Sequence, residues 1–191
     1  MVWESGNSLV TSGRRCLGLT ALLLVVACGQ PEGPAPRTQA SGEWLAFEGS
    51  WTATGTRRTL QLGPDHRAAI FDLTGSLLLT GAQRPAVGFQ AQAIGFSDSR
   101  AGMQGRCVWT DERGEEVYSE LKGDALRGGN HIAGTFVGGT GRYAGVTGEY
   151  AFQWQYVIDS EDGAVSGRAV DLKGRVRLAP AIAAPTGTQA R

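Results

Sequence analysis

The sequence predicts an all-β fold: a single domain of eight antiparallel strands closed into a barrel. Three observations carry that expectation. Between residues 43 and 179, apolar and polar residues alternate with a period of two in about eight segments, each bounded by glycine-rich or polar turn signals. No stretch repeats its apolar residues convincingly at helical spacing. The 29 glycines among 191 residues suit short strands joined by tight turns. One domain is the natural reading at this length, and closure removes exposed sheet edges, with a two-sheet sandwich as the alternative.

The amino terminus reads as a targeting segment, residues 1–27. Arg14 and Arg15 precede an apolar run of 11 residues, Leu17 to Ala27, too short to span a bilayer but suited to the core of a signal peptide. The run ends in Val25-Val26-Ala27-Cys28, which resembles the lipobox of bacterial lipoproteins. That resemblance implies cleavage before Cys28, lipidation of its thiol, and export to the cell envelope with a lipid anchor in a membrane. An ordinary secretory signal with a chance cysteine is the alternative. Residues 28–42 contain Pro31, Pro34 and Pro36 among small and polar side chains and read as an extended tether, long enough to hold a domain roughly 40 Å from a membrane surface.

The barrel domain follows over residues 43–179. A first strand is expected within Trp44 to Leu62, interrupted near Gly55, with Trp51 and Ala53 alternating against Ser50, Thr52 and Thr54. Gly63-Pro64-Asp65 is a turn signal. Phe71, Leu73, Leu77 and Leu79 then share one strand face, opposite Asp72, Thr74, Ser76 and Thr80. Phe89 to Ser97 and Gly102 to Thr110 are the next two, separated by Asp98-Ser99-Arg100. Asp111-Glu112-Arg113-Gly114 is a hairpin signal leading into Glu115 to Leu121, and Lys122 to Asn130 reads as a loop. Residues 131–137 place Ile132 and Phe136 opposite His131, Ala133, Thr135 and Val137. After the break at Gly138-Gly139-Thr140-Gly141, Val146, Tyr150, Phe152, Trp154, Tyr156 and Ile158 share a face. Ser160 to Gly163 turns into a last strand with Val170, Leu172, Val176 and Leu178 on one side, and residues 180–191 read as a disordered tail.

The stretch from Gly134 to Tyr150, GTFVGGTGRYAGVTGEY, spans 17 residues and resembles the glycine motif of the allene oxide cyclase-like and dirigent-like β-barrels. These are small eight-stranded antiparallel barrels with many uncharacterised bacterial members. The resemblance implies the fold and transfers no catalytic residue, because outside the motif only the strand pattern agrees. The motif is not a phosphate cradle: no helix with Lys-Ser or Lys-Thr follows it.

Charge and cysteine content narrow the function classes. Lysine plus arginine and aspartate plus glutamate number 18 each, and removal of residues 1–27 takes Glu4, Arg14 and Arg15 and leaves 16 basic and 17 acidic side chains, so nucleic acid is not an expected partner. On the lipoprotein reading Cys16 leaves with the signal and Cys28 would be acylated, so Cys107 stands alone without a disulfide partner. It reads as a small buried side chain rather than a nucleophile. His66 and His131 lie far from any second ligand at metal-binding spacing; neither a metal nor another cofactor is expected. Asp72, Arg106, Asp111 and Glu120 could bring charge to a barrel mouth or interior, although alternation places Asp72 on the solvent side.

The aromatic row Tyr150, Phe152, Trp154 and Tyr156 is the main candidate for ligand binding, either lining an apolar cavity or simply filling the barrel. The leading expectation is a lipid-anchored, non-enzymatic envelope barrel binding a small apolar ligand or an envelope protein. The alternatives are a cyclase- or isomerase-like enzyme working on a hydrophobic substrate inside the barrel, and a purely structural interaction module. A cavity with two convergent ionisable groups favours the enzyme, an apolar cavity favours ligand binding, and a filled barrel favours interaction.

Overall fold

The computed structural model describes residues 42–125 and 130–180. The expected signal segment, Cys28, nearly all of the tether and the tail lie outside the described residues. The eight strands are β1 (Leu45–Gly63), β2 (His66–Thr80), β3 (Gly88–Asp98), β4 (Gly102–Thr110), β5 (Glu116–Gly123), β6 (Asn130–Gly139), β7 (Thr147–Asp159) and β8 (Ala164–Arg177). Each pairs antiparallel with its sequence neighbours, and β8 pairs with β1, so the sheet is a closed barrel rather than a sandwich. A single 3-10 turn, Gly141–Tyr143, lies between β6 and β7.

The inward faces follow the period-two pattern. Trp51 and Ala53 of β1, Phe71, Leu73, Leu77 and Leu79 of β2, Ile132 and Phe136 of β6, and Tyr150, Phe152 and Trp154 of β7 are all buried. Large rings fit because glycines on the neighbouring strands leave room for them. A Cβ on Gly134, the cross-strand partner of Tyr150, would lie 2.2 Å from that ring, and one on Gly167 would lie 2.4 Å from Trp154. The indole of Trp109 is the hub of this core, with ring centroids 6.3 Å from Phe47, 5.6 Å from Phe89, 5.2 Å from Phe136 and 4.7 Å from Tyr150.

Four expectations need correction. β1 is not interrupted at Gly55 but runs through it for 19 residues. Here the glycine admits the backbone of β2: a Cβ would stand 1.9 Å from the Asp72 carbonyl oxygen. The last strand changes face part-way. Val165 and Ala169 point inward in its first half, Leu172 and Val176 in its second, and Val170 faces inward in neither. The cause is a bulge at Asp171, which adopts a left-handed φ of 54° where the pairing registers with both β1 and β7 shift. On β7, another register shift between Tyr156 and Ile158 turns Ile158 out to solvent and leaves Tyr156 half-buried. Finally, β5 continues to Gly123 and β6 begins at Asn130, which shortens the expected loop at both ends.

Candidate functional site

The two ends of the barrel differ, and Asp111 organises one of them. The Asp111-to-Gly114 hairpin between β4 and β5 and the 3-10 turn after β6 meet there. The Asp111 side chain is fully shielded from solvent. It accepts the backbone N–H groups of Arg113 at 2.8 Å and Glu115 at 3.0 Å, the Tyr143 hydroxyl at 3.1 Å, and the Arg142 guanidinium. Burial by itself would raise the Asp111 carboxyl, yet these donors together hold it below its ordinary range. Tyr143 is thereby seated inside the rim, 5.9 Å from the Phe89 ring, and with Val146 it plugs this end. Gly141 permits the turn with a φ of +50°. Gly139 lacks a left-handed conformation but is crowded, a Cβ there falling 2.7 Å from that of Tyr143.

The interior is filled. The two voids among the rings are each about 10 Å³, one beside Cys107, Trp109 and Tyr150, the other between Trp51, Phe71 and Trp154. Tyr150 shares a 2.8 Å hydrogen bond with Ser119, and burial drives its hydroxyl well above the usual tyrosine range. Cys107 is buried and unbridged, and burial pushes its thiol up to about 12. In a chain carrying Cys16→Ser and Cys28→Ser, Cys107 should therefore resist maleimide at neutral pH until denaturant is added. Labelling of the folded protein at the rate of a free thiol would contradict this burial.

The opposite end opens into a pocket of about 290 Å³, lined by Arg57, Arg67, Ser97, Ser99, Tyr156 and Asp159 among others. Arg57 donates to Asp159 at 2.6 Å and lies 5.2 Å over the Tyr156 ring. Burial pushes the Tyr156 hydroxyl up, against the pull of that guanidinium. At the adjoining β3–β4 turn, His66 pairs with Asp98 at 2.9 Å. The backbone N–H of Arg100, then His66, draw the Asp98 carboxyl down to about 2.

The structure thus divides the aromatic row. Tyr150, Phe152 and Trp154 are core, while Tyr156 alone reaches the open pocket. Asp72 and His131 are exposed, and Arg106 pairs with Glu120 at 3.0 Å on the outer surface. Among the described residues, no group of three His, Cys, Asp or Glu side chains could hold a metal ion. Sequence reasoning missed Arg57, Arg67 and Asp159, which meet only when β1, β2 and β7 reach the same rim. The adjacent Arg57 and Arg58 inside a Thr- and Leu-rich strand were the available signal. No protein-family model matches this chain, and no significant match exists among curated proteins.

Proposed function

We propose that the protein is a non-enzymatic recognition module, exported and lipid-anchored through Cys28, whose open barrel end binds a protein partner. The observation that carries this reading is the filled interior. Voids of about 10 Å³ leave no space for an apolar ligand or a substrate beside Cys107 and Tyr150, so recognition moves to the surface. The outer wall near the open rim offers such a surface. Ile70 and Phe96 are direct cross-strand neighbours and each is 49% exposed, with Leu60 and Ile94 exposed nearby on adjoining strands. Clustered exposed apolar side chains of this kind mark interaction sites. The reading also takes the chain as a distant member of the allene oxide cyclase-like and dirigent-like barrels, on the glycine motif.

A photo-crosslinking residue at Phe96 should give a discrete protein adduct in producing cells, and the same residue at Val137, exposed on β6, should not. No adduct at position 96 would overturn the reading. Replacing Cys28 with serine should move the protein from the membrane fraction to the soluble one; membrane retention would remove the anchor from the proposal.

A second reading is favoured by the rim pocket, where Tyr156 and Arg57 could hold a small molecule with an apolar body and an anionic group. Mass spectrometry of an organic extract from the exported protein separates the two. A stoichiometric small molecule supports this second reading, and an empty extract supports the partner.

A further inference from the structure

The barrel is closed, yet its longest strand outruns one neighbour. β1 pairs with β2 from Glu48 to Gly63, whereas its pairing with β8 ends at Thr56 opposite Ala164. The final bond on that side is the Arg57 N–H donated to the Gly163 carbonyl at 2.8 Å. Backbone groups of an antiparallel strand alternate between its two edges, so Thr59 and Gln61 turn their N–H and C=O toward the side that β8 has vacated. No backbone partner for either stands on that side among the described residues. A short sheet edge is therefore exposed at the open end, and such edges invite an added strand.

We infer that an extended peptide of alternating acidic and apolar residues, supplied by the partner protein, adds to this edge over Arg57 to Leu62. The inference rests on the reading that recognition occurs at the open end. Alternation sets the specificity. Arg57, Thr59 and Arg67 line the pocket, and Gln61, paired with Arg67, falls on the same side by alternation. On the outer side lie Arg58, Leu60 and Leu62, the two leucines being 63% and 55% exposed. Arg57 is engaged by Asp159, but the side chains of Arg58 and Arg67 have no acidic partner among the described residues. A peptide strand laid along the edge would set its acidic residues toward Arg67 and the pocket and its apolar residues beside Leu60 and Leu62. The same arginines disfavour edge-to-edge pairing with a second copy, which would crowd two basic rims together.

The probe is a capped hexapeptide alternating glutamate and valine, and the readout is amide hydrogen exchange of the full mature chain alongside binding measured by anisotropy. In the free protein the Thr59 and Gln61 amides should exchange fast; saturating peptide should slow both at least tenfold. Methylating the backbone nitrogens on one alternate set of peptide residues should abolish binding, and methylating the other set should leave it. Arg67→Glu should weaken binding at least tenfold. Thr59→Pro, which removes an edge donor without touching a bond to β2, should weaken it at least fivefold, while Thr59→Ala should not.

Equal affinity for a lysine–valine peptide, or unchanged binding after Arg67→Glu, would overturn the assignment of an acidic strand. Slow exchange of both amides in the free protein would overturn it too, because the edge would already be held. A crosslink at position 96 without peptide-dependent protection would sink strand addition and leave open-end recognition standing. No crosslink at position 96 would remove both.

Discussion

Replacing Trp109 with alanine is expected to cost about 3–5 kcal/mol, the range for deleting a large buried ring. The indole is 3% exposed and touches four other rings drawn from β1, β3, β6 and β7. Its loss enlarges the adjoining void of about 10 Å³ into a cavity the rigid barrel wall cannot close around. In a domain of this size that corresponds to a melting temperature lower by about 10–20 °C. Trp109→Phe retains much of the packing and should lose less than half as much. Thermal unfolding followed by near-ultraviolet circular dichroism measures both; an alanine variant melting within a few degrees of wild type would mean that the hub is not where the core's stability lies.

The second large effect is expected from Asp111→Ala, at about 3 kcal/mol. The substitution strips a fully shielded carboxylate from two backbone N–H groups, the Tyr143 hydroxyl and Arg142. Arg142 is 30% exposed and keeps Glu112 and Glu115 within reach, which places the loss at the lower end of the range for broken buried pairs. Asp111→Asn keeps the acceptor oxygen and should cost less. Acid titration gives an independent check. The folded carboxyl sits below its unfolded value, so its contribution is present above about pH 4 and disappears as pH falls through the folded pKa. Asp98, held to about 2, acts in the same direction, its part lost between about pH 4 and pH 2. Wild type should therefore lose stability steadily on acidification below about pH 4, and Asp111→Asn should show a shallower fall. An identical pH dependence in the two proteins would mean that Asp111 is not ionised in this network.

The strands and most of their faces were legible because period-two alternation survives in the sequence wherever one side of a sheet is buried. It fails where a residue is inserted. On β8 the apolar residues Val165 and Ala169 occupy odd positions and Leu172 and Val176 even ones, and that change of parity was the only trace of the bulge at Asp171. Reading Val170 with Leu172 concealed it. Gly55 misled for a related reason: a glycine that ends a strand and a glycine that lets two strands approach look alike until the opposing backbone is in place. The rim residues were less legible still. Arg57, Arg67, Tyr156 and Asp159 belong to three strands, and only the differing lengths of those strands at one end make them neighbours. Asp111 was noted as a charge near the mouth, but its role in seating Tyr143 depends on a partner 32 residues away in the chain.

The unbroken course of β1 has a mechanical consequence. It begins at Leu45, beside the first described residue Gly42, and ends at Gly63 on the opposite rim, so the segment that enters the barrel and the edge that would receive a partner belong to one strand about 60 Å long. Tension between those two points would run along β1 itself, parallel to the strand. It would load the β1–β2 and β1–β8 ladders in shear, with many hydrogen bonds resisting together. Tension between Gly42 and Leu178 is a different case. Those residues sit side by side at one rim, and pulling them apart would unzip β1 from β8 one pair at a time, beginning at Leu45 and Val176. The barrel is therefore built to resist a pull along β1 far better than a pull between Gly42 and Leu178.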